Sequence, residues 1–207
     1  AFQAGRIDRC TAYQACIRLR CPHLWNSSVT ASADALSTSK EESAKNCIFV
    51  VVGDISADKH VAKLVRHLKE LQPDLHVFGI GGPEMQKAGA ELMYNCQDFA
   101  EVGIVRLIGK VPKWLKIKEH LLDLIEERKP RCVLLVDFGG FNIGFSSYVR
   151  KRFQSLPIVY FISPQVWGSR PWRLIELARN VSKMLVIFPF EQPIYERKGI
   201  PARFVGH

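Results

Sequence analysis

The chain has 207 residues, a formal net charge of +9 and a hydrophobic fraction of 47%. This fraction is enough for a packed core, so the composition excludes a globally disordered chain. The apolar runs at Cys47–Val52, Cys132–Val136 and Met184–Phe188 are far shorter than the roughly 18 residues that a membrane-spanning helix needs. Six cysteines are too sparse for a disulfide scaffold, and those beside apolar runs are interpreted as buried thiols.

Residues 1–46 show no sustained helical or strand period, and they are basic at the front and then rich in serine. Such a composition suits an organellar presequence, and it equally suits an irregular extension without a targeting role. Both interpretations stay open, and residues 47–207 are taken as the folded domain.

From residue 47 onward, strand-like runs alternate with helical periods. The apolar, β-branched run at 47–52 predicts a strand that is covered on both faces. Further strands are predicted at 75–80, 132–137, 157–162, 183–188 and 202–205, and helices at 61–71, 84–88, 104–128, 143–153, 171–180 and 190–198. This alternation predicts an α/β fold with a Rossmann-like, doubly wound parallel sheet.

In such a sheet, ligands bind outside the carboxyl ends of the strands, and three loops there carry polar side chains. The first is Gly53–Asp58, which follows a strand and opens a helix. Its backbone amides and Ser56 are candidate donors to an anionic ligand. Alternatively, Ser56 or Asp58 caps the helix.

The second loop is Val136–Asn142. A carboxylate that ends a buried strand is costly unless it is paired, hydrogen-bonded or acting on a ligand, so Asp137 is a candidate site residue. Two glycines beside it allow a substrate to approach closely. Asn142 is either a site residue or the N-cap of the next helix.

The third loop is Ile162–Arg170, which offers hydrogen-bond donors, an aromatic face and a cation that suits a phosphate. Trp167 is alternatively a core residue, and Arg170 is alternatively the partner of a nearby carboxylate. The loop therefore indicates polar ligand binding without specifying the ligand.

Together these loops resemble the motifs of the lipid-A-disaccharide synthases, family 19 of the glycosyltransferases. The family motifs G-E-x-S-G-D, G-x-G-G-P-x-M-Q, V-M-G-[IL]-V-E, D-x-P-D-F-N, S-P-S-V-W-A-W-R, L-P-F-E and F-V-G-H are similar to Gly53–Asp58, Gly79–Gln86, Val102–Arg106, Asp137–Asn142, Ser163–Arg170, Phe188–Glu191 and Phe204–His207. The motifs occur in unbroken order over residues 47–207.

Four positions depart from these motifs. Asp54 replaces a glutamate, Ala57 a glycine, Gly140 the second acid of the strand-end motif and Ser169 the second tryptophan. The first acid, which the resemblance identifies as catalytic, is kept as Asp137.

The resemblance implies one half of a two-domain, GT-B-type hexosyltransferase, with residues 47–207 as the acceptor-side domain, truncated before the donor-binding domain. The implied reaction transfers 2,3-diacylglucosamine from its UDP donor to 2,3-diacylglucosamine 1-phosphate, with inversion and release of UDP. No metal or other cofactor is expected, and the chain by itself is expected to be inactive. The alternative is a catalytically incomplete α/β module that binds lipid or a partner.

The resemblance also implies roles for individual residues. Asp137 is the implied general base for the acceptor hydroxyl. The implied substrate-binding residues are Asp54, Ser56, Asn142, Ser163, Gln165 and Arg170.

Segment 104–118 interleaves apolar side chains and a tryptophan with five cations and contains no acid. This pattern is typical of an amphipathic stretch on an anionic membrane surface, with Lys110, Lys113, Trp114 and Lys116 facing the lipid. The alternative is a solvated face whose apolar side packs on the sheet. No nucleic-acid motif accompanies the positive charge, so nucleic acid is not an expected partner. The expected location is cytoplasmic and peripheral on the inner membrane, or an organelle if the first segment is a presequence.

Overall fold

The computed structural model describes residues 46–97 and 111–207. The strands are β1 Cys47–Val52, β2 His76–Gly81, β3 Glu91–Asn95, β4 Cys132–Val136, β5 Ile158–Phe161, β6 Lys183–Val186 and β7 Ala202–Phe204. The helices are α1 Ile55–Leu71, α2 Pro83–Lys87, α3 Val111–Arg128, α4 Gly139–Arg152, α5 Val166–Ser169, α6 Arg173–Asn180 and α7 Glu191–Glu196. The predicted features before residue 46, and those at 98–110, lie outside the described residues.

The strands form one sheet in the order β3-β2-β1-β4-β5-β6-β7, and every pair of neighbours is parallel. The path through the sheet starts at β1 in the middle, proceeds outward through β2 to β3, and then crosses to β4 and proceeds outward on the other side to β7. The predicted Rossmann-like, doubly wound sheet is confirmed. The strand order reverses between β1 and β4, so the carboxyl ends of these two strands border the crevice where such sheets bind ligands.

Helices cover both faces of the sheet. The side chains of Ile48, Val50 and Val52 pack in one cluster with α1 and α2, while Phe49 and Val51 pack in the other with α3, α4, α6 and α7. All residues of β1 are buried, as its unbroken apolar run predicts.

The cysteines in the described residues are Cys47, Cys96 and Cys132, and all three are buried, which confirms their interpretation as core thiols. Burial raises the pKa of Cys47 and the pKa of Cys96 to about 11. Both thiols are therefore protonated at neutral pH.

Most predicted elements are present, and the differences have local causes. Strand β3 was not predicted, because it lies at a sheet edge, its side chains are only partly buried, and its sequence lacks an alternating pattern. The strands predicted to run through 137 and 162 end earlier, because φ is 44° at Asp137 and 57° at Ile162, and these left-handed values interrupt an extended backbone.

A charged cluster ties the end of α3 to the edge of the sheet. The Arg128 guanidinium donates to both carboxylate oxygens of Glu91, at 2.5 and 2.9 Å, and His76 Nε2 lies 2.7 Å from Glu91 Oε2. These contacts, with that of Arg128 foremost, lower the pKa of Glu91 from its ordinary value of 4.5 to about 2. Since the pKa of Glu91 is lower in the folded state than in the unfolded state, its ionised carboxylate stabilises the fold at pH values above 4.5. This stabilisation is lost as the pH falls from 4.5 toward 2.

We therefore expect Glu91→Gln to lower the free energy of unfolding at neutral pH by about 1 kcal/mol or less, because the pair is partly exposed. The difference from wild type should shrink as the pH falls from 4.5 toward 2. Urea unfolding followed by circular dichroism measures both values, and Asp74→Asn at an exposed position is the control. A difference that is independent of pH would contradict this account.

Candidate active site

Asp137 directly follows β4, and the hydrogen bonds around it fix its backbone. Its N–H donates to the carbonyls of Phe161 and Ile162, at 3.1 and 3.2 Å. Its own carbonyl accepts from the Tyr160 hydroxyl at 2.5 Å and from Asn142 Nδ2 at 3.0 Å. Left-handed conformations at non-glycine residues cost of order 1–3 kcal/mol each and persist where the surroundings determine them. Here these bonds hold the Asp137 backbone in that conformation.

Phe138, the next residue, is also left-handed, with a φ of 47°, and it packs over Gly53 at the end of β1. A Cβ atom on Gly53 would lie 2.0 Å from Phe138 Cγ, so only glycine permits this contact. The close approach joins the loops that follow β1 and β4. It therefore brings the two predicted site residues Asp54 and Asp137 into the same crevice.

Asp54 caps helix α1. Its Oδ1 accepts from the Ala57 N–H at 2.8 Å and from the Ser56 hydroxyl at 2.7 Å. The alternative that Ser56 or Asp58 caps this helix is wrong, because the helix begins at Ile55 and both residues lie within its first turns. Ser56 is exposed at the mouth of the crevice, with its hydroxyl proton donated to Asp54.

Asp58 is fully buried and organises the neighbouring loop. Its carboxylate accepts from the N–H groups of Gly82, Glu84 and Met85, at 2.9, 2.9 and 3.1 Å. Asp58 thus binds the amino-terminal turn of α2 and has a structural role.

The electrostatic environment of Asp137 makes its carboxylate a stronger base than usual. Burial is the largest cause that raises its pKa, and the negative charge of Asp54 raises it further. A hydrogen bond from the Phe138 backbone opposes these effects. A carboxylate with a raised pKa is better matched to accepting a proton from a hydroxyl group.

Asn142 lies inside the domain, with an exposed fraction of 0%. Its Nδ2 donates to the carbonyls of Val136 and Asp137, and its Oδ1 has no hydrogen-bond partner among the residues that the structure describes. The predicted N-cap role is wrong, since the cap position of α4 is Phe138. The side chain does not reach the crevice surface where it was expected to bind substrate, and instead it holds the backbone of Asp137.

The third loop is held by a buried glutamate on α7. Ser163 Oγ and Trp167 Nε1 both donate to Glu191 Oε1, at 2.5 and 3.1 Å, and the Phe188 N–H donates to Oε2 at 3.3 Å. Ser163 is buried, so its hydroxyl serves this bond and does not present to a ligand as expected. The Tyr195 hydroxyl adds a further bond to the Pro164 carbonyl at 3.1 Å.

Sequence reasoning assigned no role to Glu191, although it lies within a matched motif. A glutamate directly after Phe188, Pro189 and Phe190, at the start of a helix, is the signal that was available. Its two side-chain partners, Trp167 and Ser163, lie 24 and 28 residues away in the chain, so no local pattern reveals them.

Gln165 and Arg170 are exposed, at the two ends of α5. They are thus free to contact a ligand on the surface of the third loop. Arg173 connects this loop to the second one, because its Nη1 donates to the Gly139 carbonyl at 3.1 Å. At Gly140, the family's second acid is missing, and no atom lies within 4 Å of where a Cβ would be.

The predicted membrane-facing residues are only partly within the described part of the chain. Lys110 lies outside it, and Lys113 and Trp114 belong to the first turn of α3, where side chains are not described. Lys116 is exposed, as is its neighbour Leu115. Lys118 is buried instead, with its Nζ 3.4 Å from the centre of the Tyr148 ring.

Among residues 46–97 and 111–207, no helix is long and apolar enough to cross a membrane. Within the same ranges, no group of three histidine, cysteine or acidic side chains is arranged to hold a metal ion.

The buried acceptor on α7 gives a stability prediction. Glu191→Ala should lower the free energy of unfolding by about 2–5 kcal/mol, because it leaves the Ser163 and Trp167 donors without an acceptor inside the domain. Glu196→Ala, at an exposed position of the same helix, is the matched control and should change stability by less than about 0.5 kcal/mol. Urea unfolding of both variants measures this, and equal midpoints would refute the role given to Glu191.

Comparison with known proteins identifies the family. Residues 48–207 match the family model described as lipid-A-disaccharide synthetase. The lipid-A-disaccharide synthase of Anaeromyxobacter sp. (strain K) is 39% identical over 160 residues, which cover 77% of this chain and 41% of that protein. The lipid-A-disaccharide synthase of Geobacter sulfurreducens is 39% identical over 166 residues, which cover 80% of this chain and 43% of that protein. Lipid-A-disaccharide synthase 1 of Legionella pneumophila (strain Lens) is 37% identical over 160 residues, which cover 77% of this chain and 41% of that protein.

The chain spans 41% to 43% of the length of these curated relatives. The matched residues include β1 from Ile48 onward, β4 and the loops that follow both strands, and therefore the crevice that contains Asp137. On this evidence, the chain belongs to the lipid-A-disaccharide synthetase family.

Proposed function

We propose that this domain is the acceptor-binding half of an inverting hexosyltransferase. The donor is UDP-2,3-diacylglucosamine, the acceptor is 2,3-diacylglucosamine 1-phosphate, and the products are the β-1,6-linked lipid A disaccharide and UDP. Family membership supports the reaction class. The observation that carries the assignment is Asp137, a half-buried carboxylate with a raised pKa beside the point where the strand order reverses.

In this proposal, Asp137 acts as the general base. Its carboxylate takes the proton of the acceptor 6-hydroxyl while that oxygen forms a bond to the anomeric carbon of the donor. The bond from this carbon to the UDP oxygen breaks, and UDP leaves with the electron pair. Attack from the face opposite the leaving group inverts the configuration. A positioned base of this kind contributes about 10²–10⁴-fold to the rate.

Exposed side chains at the crevice supply the substrate contacts. Arg170 is the proposed partner of the acceptor phosphate, because a guanidinium donates two parallel hydrogen bonds to such a group. Gln165 and Ser56 are proposed to contact sugar hydroxyls. The negative charge of Asp54 raises the pKa of the proposed base, Asp137. Asn142 and Ser163, whose polar groups point into the domain, are proposed to act by positioning the loops.

Acylated substrates reside in a bilayer, so the enzyme must work at its surface. We propose that Lys110, Lys113, Trp114 and Lys116 contact an anionic membrane, with the protein peripheral on the cytoplasmic side of the inner membrane. The exposure of Leu115 and Lys116 supports this contact.

The role of Asp137 is testable in a chimera in which residues 48–207 replace the matching segment of the Geobacter sulfurreducens relative. The chimera should transfer the sugar, and the 207-residue chain alone should not, because it covers only 43% of that relative. Asp137→Asn in the chimera should lower kcat by roughly two to four orders of magnitude.

The same variant should not lose stability. Since the folded-state pKa of Asp137 is raised, its ionisation opposes folding as the pH rises through that pKa, and the neutral amide removes this cost at neutral pH. The melting temperature should therefore stay equal or rise. Near-normal turnover would exclude Asp137 as the base, and an inactive but folded parent chimera would favour the binding-module alternative.

Asp54→Asn tests the electrostatic coupling. Asparagine retains the oxygen that caps α1, so the fold should be kept, while the charge that raises the Asp137 pKa is lost. The acid limb of the kcat/KM profile of the chimera should therefore move to lower pH. An unshifted limb with normal melting behaviour would mean that Asp54 does not set the basicity of Asp137.

A further inference from the structure

The two most exposed large apolar side chains in the described part of the chain are neighbours on one helix. Trp172 is 66% exposed and Ile175 is 55% exposed. Trp172 occupies the N-cap position of α6, and a spacing of three residues places both side chains on the same face of the helix. The opposite face buries Leu174 and Leu177 against the sheet. Helix α6 thus has one apolar face in the core and a second that points outward.

Cations flank the outward face. Arg170 and Arg179 are exposed, and Arg179 follows Ile175 by one helical turn on the same stripe. The acid in this stretch is Glu176, whose carboxylate accepts a hydrogen bond from Ser147 of α4 at 2.9 Å. The surface formed by Trp172, Ile175 and Arg179 is called the α6 surface below.

The composition of the α6 surface favours an anionic bilayer as its occupant. Single exposed apolar residues are ordinary on soluble proteins, but a tryptophan and an aliphatic side chain on one stripe between arginines are typical of a helix in the membrane interface. In such interfacial helices the indole lies at headgroup level, the aliphatic chain reaches the acyl boundary, and guanidinium groups bind lipid phosphates.

The position of α6 supports the same occupant. Helices α3, α4 and α6 cover one face of the sheet, so the α6 surface and the exposed residues Leu115 and Lys116 of α3 belong to one layer of the domain. From Val111 to Lys118 the sequence of α3 contains no acid, and its three lysines include the exposed Lys116 and the buried Lys118. Two regions of this layer therefore carry positive charge together with exposed apolar side chains, which complements an anionic surface.

We propose that the α6 surface is a membrane contact separate from residues 104–118, with Trp172 and Ile175 inserted at the lipid interface and Arg179 at the headgroup phosphates. A domain held at one point remains free to tilt, whereas two separate contacts fix its orientation on the bilayer. The proposal concerns lipid binding only and does not depend on the transfer reaction.

Co-sedimentation with vesicles of equal parts phosphatidylglycerol and phosphatidylcholine tests this contact. Trp172→Ser combined with Ile175→Ser should lower the partition coefficient of the 207-residue chain by about tenfold or more. Leu71→Ser is the matched control, because Leu71 is 48% exposed at the end of α1 on the other layer, and it should leave binding unchanged. Arg179→Gln should weaken binding to these vesicles and leave binding to pure phosphatidylcholine unchanged.

A second measurement is independent of any effect on folding. Brominated lipids should quench the tryptophan fluorescence of the bound wild-type chain, and the conservative variant Trp172→Phe should lose a measurable part of this quenching. Binding of the double serine variant equal to wild type would overturn the proposal, as would unchanged quenching in Trp172→Phe or a folded wild-type chain that binds no vesicles. Sedimentation velocity without lipid tests whether the α6 surface instead joins two copies of the chain. If it shows a dimer that the double variant dissociates, the surface joins two copies of the chain and the proposal is wrong.

Discussion

The close contact between Phe138 and Gly53 is the constraint on which the crevice depends. It allows the loops after β1 and β4 to lie in contact beside the point where the strand order reverses. A side chain at position 53 would clash with the Phe138 ring and force these loops to shift, and the charge of Asp54 raises the pKa of Asp137 across the same junction. The electrostatics of the candidate base thus follow from a steric requirement between an aromatic ring and a residue without a side chain.

Around this contact, the carboxyl edge of the sheet is held by polar groups inside the domain. Tyr160 and Asn142 fix the backbone of Asp137, Glu191 fixes the third loop, and Arg173 joins that loop to the start of α4. Buried polar groups that are bonded in this way make a structure rigid, because any displacement leaves a donor or acceptor unpaired. The exposed side chains proposed to contact a ligand therefore lie on loops whose conformation is fixed by hydrogen bonds inside the domain.

The sequence was informative where local patterns control the structure. The apolar run at 47–52 predicted a strand buried on both faces, and the position of Asp137 after an apolar run predicted a carboxylate at the end of a strand. Local patterns failed where distant partners decide. Asn142 and Ser163 look like ligand-binding residues in the sequence, and only contacts with β4 and with Glu191 on α7 show that both point inward. Strand β3 escaped prediction because an edge position buries too little to impose a pattern.

The burial of Cys47 and Cys96 determines when their thiols can react. Modification by oxidants and alkylating agents proceeds through the thiolate, and the raised pKa values near 11 keep Cys47 and Cys96 protonated as well as enclosed. These thiols become reactive only when the domain opens. The rate at which they are modified therefore measures how often the sheet opens transiently. The sensitivity of these thiols to oxidants thus depends on the folding equilibrium of the domain.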